Sequence, residues 1–417
     1  MGPIETLPDP DARNDYLIGV LWAIVLGIGV LVWGSIAKLR GPMVSAWIAK
    51  AMICLTVMLF YDYTYGVDID GYFGHASSLG FSWQGFELGQ GTLNTRTLTW
   101  LHYVGVSSSY NATRLSFALI GFMGMFFTYR AGSLVIKRED PRLFFAFAFM
   151  PSILFWSSIL GKDPIAFFGI AVYTYGVVAW HTLGRLRYLI WVALGLTVAV
   201  YIRMWFGPIL LIPLALLGWM RSEGVAKRTA FVALGAIGVL VSPLVLQESI
   251  GVDFSQKGEL LQAADTMSRM FPTTGSSLEV PDLATGSQLL GFAPLGIFTA
   301  LFRPLPGEVR NVFGTLTGLE NAFLLFLAVR AVWRTRWREL KEPLVGWAIL
   351  TVLIWASVYS VAAFQNLGTM SRYKLQITPL LVGLLFYLGR RRDRSQVDPR
   401  LVAVGPRQRP LAMRPEA

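Results

Sequence analysis

Cysteine is all but missing. Cys54 is the only one in 417 residues, so neither a disulfide framework nor a thiolate metal site can be built from this chain. Histidine is almost as scarce: His75, His102 and His181 are too few and too scattered for a zinc-type cluster. Charge is thin too. Charged residues make up 15% of the chain, against roughly 25% in soluble domains, which argues against a water-soluble globule. No internal repeat is discernible.

What is abundant is apolar length. The chain is 54% hydrophobic, with a mean hydropathy of +0.54. Hydrophobic runs of roughly 15 to 22 residues recur, long enough to cross the hydrocarbon core of a bilayer. The expected fold is an all-α integral membrane protein with about eleven spans, near 16–37, 43–61, 115–135, 143–160, 164–183, 188–204, 205–220, 229–247, 319–333, 343–363 and 375–389. The first apolar run lacks a basic leader and a small-residue cleavage site, so it reads as a retained span.

The 36 Lys and Arg against 25 Asp and Glu give a net charge of +11. The basic residues gather at alternate span ends: Lys38/Arg40, Lys137/Arg138/Arg142, Arg185/Arg187, Lys227/Arg228, Arg334/Arg336/Arg338 and Arg390/Arg391. That is the positive-inside pattern, with the N-terminus outside and the C-terminus cytoplasmic. The basic excess therefore speaks for topology and membrane lipids, and no nucleic acid is expected as a partner.

The polytopic domain is expected to fill residues 1–390, with two long outer loops at about 62–114 and 248–318. Residues 391–417 are basic, proline-containing and aperiodic, the composition of a disordered tail. Within the first outer loop, Leu98-Thr-Trp-Leu-His-Tyr-Val has the character of an interfacial helix. The apolar piece near Leu289–Leu301 is too short to cross and predicts a re-entrant or interfacial segment.

Candidate chemistry centres on residues 61–76, Tyr-Asp-Tyr-Thr-Tyr-Gly-Val-Asp-Ile-Asp-Gly-Tyr-Phe-Gly-His-Ala. Acids at a membrane boundary are costly. In an extended segment Asp68 and Asp70 share a face and can hold a divalent cation or a sugar hydroxyl. His75 follows one turn later if a helix starts at Gly71. A solvated turn explains the same residues without chemistry. Asp163 before Pro164 reads as a helix N-cap. Lys162, Arg203, Arg303, Arg310, Arg372 and Lys374 break the inside bias and fall on the face of the acidic stretch, suited to binding phosphate. Taken singly, Lys162 is equally explained by snorkelling and each of the others is better explained by a carbonyl cap or a lipid headgroup; their convergence is what points to phosphate.

Several of these features together resemble a known group of proteins. They are the Asp-bearing first outer loop, Pro151-Ser-Ile-Leu-Phe-Trp-Ser-Ser158 leading to Lys162-Asp163, the outer Arg203, Phe302-Arg-Pro-Leu-Pro306 and Arg372-Tyr-Lys-Leu-Gln376. The pattern, scattered over residues 60–380, is similar to bacterial multi-spanning proteins related to the GT-C glycosyltransferases and to EpsG-like exopolysaccharide proteins. The resemblance implies a GT-C-like fold in the bacterial inner membrane and a lipid-linked sugar donor such as a polyprenyl phosphate. Asp70 matches the loop aspartate that acts as base or metal ligand, with Asp68 and His75 beside it, and the outer cations would bind phosphate. A divalent cation and a polysaccharide-assembly complex are further expectations. A polysaccharide polymerase or ligase uses similar donors, and a transporter or lipid flippase is the rival from another class. The span interiors hold almost no charge and the candidate groups gather at one face, which disfavours the latter.

Overall fold

The computed structural model describes residues 12–65, 70–76, 78, 83–250, 278, 285–309 and 311–391, with the side chains of Tyr65, Asp70 and residues 243–250 left aside. Asp68, Arg310 and the tail from 392 onward lie outside the described residues. Among those described, the regular structure is helical throughout. In chain order the α-helices are α1 Ala12–Ile36, α2 Arg40–Leu55, α3 Val57–Tyr65, α4 Gly91–Gly105, α5 Tyr110–Ile136, α6 Pro141–Ala148, α7 Pro151–Trp156, α8 Lys162–Leu183, α9 Leu189–Ile202, α10 Phe206–Arg221, α11 Val225–Ile250, α12 Gly286–Phe302, α13 Val312–Arg334, α14 Trp337–Leu340, α15 Pro343–Ala362, α16 Leu367–Lys374 and α17 Thr378–Leu388. A single π-helical turn covers Asp70–Gly74.

Seven helical stretches among the described residues are long and apolar enough to cross a membrane: Ala12–Ile36, Arg40–Thr64, Tyr110–Ile136, Lys162–Leu183, Val225–Ser242, Val312–Arg334 and Pro343–Ala362. Four shorter apolar helices accompany them, ending at Ile202, Arg221, Phe302 and Leu388. Helices α1 and α11 bury little of themselves against protein. Their exposed Leu21, Ile28, Val32, Val232 and Leu240 make an apolar surface that suits lipid.

The expected span at 143–160 is corrected. Its apolar run is continuous, but it divides into α6 and α7 at an extended Met150 followed by Pro151 in the first helical position. A proline there lacks the amide that would continue the ladder, and it pushes the preceding residue out of helical geometry. α17 has 11 residues, about 16 Å of helix, half of a hydrocarbon core. In the second loop the apolar piece forms α12, opened by a Thr285/Gln288 capping box. The Leu98–Val104 stretch lies within α4.

Small residues set the closest packing. At Gly195 of α9 a Cβ would fall 2.2 Å from the Tyr173 amide nitrogen of α8, and at Gly169 of α8 one would fall 2.8 Å from the Ala199 nitrogen. Backbone-to-backbone approach of this kind lets apolar helices associate without a hydrophobic drive. α8 and α9 run antiparallel along this seam. α5 runs parallel to α8, with Gly124 against Phe167 and Phe127 near Tyr175.

These directions give the bundle two unlike ends. One end holds the starts of α1, α5 and α8 and the α9–α10 junction. The other holds Arg130 with Glu139, Arg221 on the Trp180 carbonyl, and Arg330 and Arg334 on the Gly389 carbonyl. Arg390 with Glu339 belongs there as well. The second end collects the basic clusters seen in the sequence.

Candidate functional site

The first end is organised by buried polar contacts. Asp15 of α1 accepts from the Tyr110 amide at 2.8 Å and from the Asn111 side chain at 2.6 Å, capping α5 from a neighbouring helix. Next to it Arg114 of α5 meets Asp62 of α3 at 2.8 Å, with the Tyr110 hydroxyl 3.5 Å from the same carboxylate. Arg114 is fully buried. A guanidinium held there needs its counterion, because burying either charge alone costs several kcal/mol.

The centre of this end is Asp163. Helix α8 begins at Lys162 with Gly161 as its N-cap, and no side chain caps it. The expected N-cap role of Asp163 is therefore corrected: it stands inside the first turn, fully buried, with its carboxylate turned to cations. Arg372 of α16 donates Nε to Oδ2, and Arg203, just past α9, brings Nη2 to 3.6 Å from Oδ1. Asp163 reaches partners far downstream in the chain, which no local motif can announce.

Arg203 is held from every direction. Its Nη1 donates to the Tyr359 hydroxyl at 2.9 Å, and the Trp205 indole donates to the same oxygen at 3.1 Å. Its guanidinium carbon stands 4.0 Å from the Tyr373 ring centroid, a cation–π arrangement. Tyr359 in turn stacks on Trp355 with centroids 4.5 Å apart. The site thus presents rigid, pre-oriented guanidinium groups, the form in which Arg recognises planar anions and phosphates.

Two further groups border it. A side chain at Gly161 would meet Arg372 Nη2 at 3.4 Å and the Tyr72 ring at 3.7 Å, so Arg372 and the Asp70–Gly74 turn both border Gly161. The stem of Lys162 runs beside Gly91 at the start of α4, where a Cβ would lie 3.3 Å from its Cδ. Arg96 of α4 reaches back to the Gly71 carbonyl at 2.5 Å, which ties that helix to the acidic turn.

The sequence-derived candidates are thus divided. Arg203 and Arg372 are brought together on Asp163, whose half-buried sequence neighbour is Lys162. Arg303 and Lys374 form a separate group: Lys374 Nζ donates to the Arg303 carbonyl and to Asn321 Oδ1, each at 2.8 Å, while the Arg303 guanidinium binds Glu308 at 2.7 Å. Burial alone would push the Glu308 carboxyl up. The Arg303 hydrogen bond, the Leu305 amide and the Arg303 charge bring it below its usual range. His75 is exposed, whereas Tyr72 and Phe73 beside it are buried. Asp68, Arg310 and the Asp70 side chain fall outside the described residues, so the proposed Asp68–Asp70 cation pair has no described geometry. Among the described residues no group of three or more His, Cys, Asp or Glu is arranged to hold a metal ion.

His102 of α4 does structural work. Trp22 Nε1 donates to Ser116 Oγ at 2.8 Å, which frees that hydroxyl to donate to His102 Nε2 at 2.9 Å. Thr113 Oγ1 gives its proton to the Ser109 carbonyl and lies 3.0 Å from His102 Nδ1, which must be the N–H side. Burial pulls this imidazole below its ordinary range, with the Ser107 contact opposing.

Two further buried groups stand inside the helices: Lys50, which belongs to no local motif, and Glu320, which from sequence alone reads as a first-turn acid favoured by the helix dipole. Lys50, in the middle of Arg40–Thr64, has its ammonium 2.5 Å from Ser157 Oγ and 3.0 Å from Ser158 Oγ. Glu320, in the third turn of α13, accepts from the Ser152 amide at 2.8 Å and its hydroxyl at 2.5 Å. The little charge within the spans is thus buried and bound to the segment that precedes Asp163. The signal was available: an ionisable residue within an apolar span is a functional pointer by default. No known protein family, curated protein or solved structure matches the chain.

Proposed function

We propose that this protein is a membrane glycosyltransferase that moves a sugar from a polyprenyl-phosphate-type donor to an acceptor hydroxyl, in cell-envelope or exopolysaccharide synthesis. The observation that carries this reading is the convergence of Arg203 and Arg372 on buried Asp163, beside the turn that follows Asp70. The basic end of the bundle is assigned to the cytoplasm by the positive-inside rule, which leaves the site on the outer face of the bacterial inner membrane. A GT-C-like architecture belongs to the same proposal.

The chemistry follows from the charges. The acceptor oxygen bonds to the anomeric carbon while the bond from that carbon to the phosphate oxygen breaks, and the electron pair leaves with the phosphate. Arg372, Arg203 and Lys162 stabilise the growing negative charge on that leaving group. Asp70 takes the proton of the attacking hydroxyl as general base. Asp163, paired with two guanidinium groups, orients them. A divalent cation, where one is used, would be held by Asp68 and Asp70.

Mass analysis of the lipid-linked intermediates that accumulate on deletion of the gene tests the reading. A glycosyl-carrying polyprenyl phosphate is expected to build up, and an unchanged lipid pool removes the proposal. The second reading, a flippase or transporter for such lipids, is favoured by one observation, Lys50 in mid-span. In that case the same lipid accumulates, but purified protein moves it between leaflets without cleaving it.

A further inference from the structure

The segment 151–163 that leads into the Asp163 site is fastened at three points by ionisable side chains from other helices. Glu320 of α13 holds Ser152 at the start. Lys50 of α2 holds Ser157 and Ser158 in the middle. Arg372 and Arg203 hold Asp163 at the end. Burying charge in an apolar bundle is unfavourable, and a stability-driven solution would use apolar packing instead. The arrangement fixes position at the expense of stability.

Lys50 is the most informative of these anchors. It is fully buried and, among the described residues, has no carboxylate partner. The direction of its hydrogen bonds is set by the serines. Ser157 Oγ gives its proton to the Ile153 carbonyl and Ser158 Oγ gives its own to the Leu154 carbonyl, both at 2.5 Å. Each hydroxyl then has only lone pairs left for Lys50, which must donate to both. On the opposite side the Ser157 carbonyl sits over Gly121 of α5, where a Cβ would approach to 2.3 Å. The turn is gripped between α2 and α5, and Ile159 and Leu160, which follow it, are buried. Little play is left between Ser158 and the Lys162–Asp163 pair.

We infer that Lys50 is a positioning residue of the phosphate site, acting through Ser157 and Ser158 to set Lys162 and Asp163 against Arg203 and Arg372. The inference rests on the proposed reading that this site binds a polyprenyl phosphate. It assigns Lys50 a role in hydrogen-bond geometry and not in charge. Two neutral substitutions then separate: Lys50→Gln can still donate to both serines, whereas Lys50→Met cannot.

The test uses full-length protein purified in detergent, with farnesyl phosphate as the probe, and reads probe affinity and ligand-free melting temperature for each variant. Wild type binds the probe, Lys50→Gln stays near wild type, and Lys50→Met weakens binding by about tenfold or more, as misplacement of binding groups does. Equal affinity of Lys50→Met and wild type overturns the inference, because a merely structural role lowers the melting temperature and leaves the affinity of the folded protein unchanged. Equal loss in both variants also overturns it, since charge would then be what matters. If Lys50→Met does not fold, Ser158→Ala removes one acceptor and supplies the same comparison: weaker binding supports the role and unchanged binding contradicts it. Failure of the wild type to bind the probe removes the phosphate reading itself, and this inference with it. Wild-type binding with no effect of any variant removes the inference alone.

Discussion

Arg372 and Asp163, 209 residues apart in the chain, meet in a buried ion pair. Arg203 closes on the other carboxylate oxygen at 3.6 Å. One acid therefore orients two guanidinium groups from separate parts of the sequence, at the end of the bundle away from the basic clusters. Where phosphate chemistry is performed by cations, such fixed orientation matters more than their number, because the charge must already stand where the leaving group develops.

Removing the shared acid leaves the buried Arg203 and the part-buried Arg372 without their common counterion. Asp163→Ala is expected to lower stability by about 3–5 kcal/mol, the usual cost of breaking a buried pair from one side. Denaturant or thermal unfolding in detergent measures it. A change near zero would mean that the pair contributes no orientation either.

Arg203→Lys keeps the charge but loses the fork that reaches both Tyr359 and Asp163, and weakens the contact with Tyr373. Such a swap is not conservative at a stacked, multiply bonded site. Membrane insertion and yield are expected to hold while transferase activity falls by about two orders of magnitude. Activity equal to wild type would reduce Arg203 to a generic positive charge.

Gly121→Ala is expected to be far worse than a methyl group on a lipid-facing helix usually is. Its Cβ would stand 2.3 Å from the Ser157 carbonyl oxygen and 2.7 Å from the Ser157 side chain, where no flexible atom can give way. Overpacking of this kind costs about 1–3 kcal/mol. The measurement is the melting temperature against that of Gly105→Ala, where nothing lies within 4 Å of the added atom. Similar values for the two variants would refute the close approach of α5 to the 157 turn.

His102 makes stability depend on pH with a definite sign. Its folded pKa lies below the unfolded value of about 6.5. Between the two values the unfolded chain binds the extra proton, so stability is complete above about 6.5 and declines as pH falls toward the folded pKa. The melting temperature of wild type between pH 7 and pH 5 should fall more steeply than that of His102→Gln. Parallel curves would show that the imidazole is not kept neutral by its surroundings.

Much of the helical framework could be read from the sequence, because a long apolar run carries its own signal. Ala12–Ile36 and Pro343–Ala362 differ from the expected 16–37 and 343–363 only at their ends. The division of 143–160 was hidden, since the residues on both sides of Met150-Pro151 are equally apolar and hydropathy averages across the break. The site was legible only in part. Arg203 and Arg372 stood out as cations on the wrong side of a charge bias, a one-dimensional signal. Asp163 did not, because an Asp-Pro pair has a sufficient local explanation and its true partners lie 40 and 209 residues away. Lys50 was overlooked inside a run whose average was apolar, although a single lysine there was itself the anomaly.

The most direct measurement is turnover of a polyprenyl-phosphate-linked sugar by purified protein, followed as release of the free polyprenyl phosphate, for wild type and Arg372→Gln. The account predicts release by wild type and a loss of about a hundredfold or more in the variant, as for removal of a principal donor to a developing anion. Equal turnover by Arg372→Gln, or no cleavage of any such donor by wild type, would contradict it.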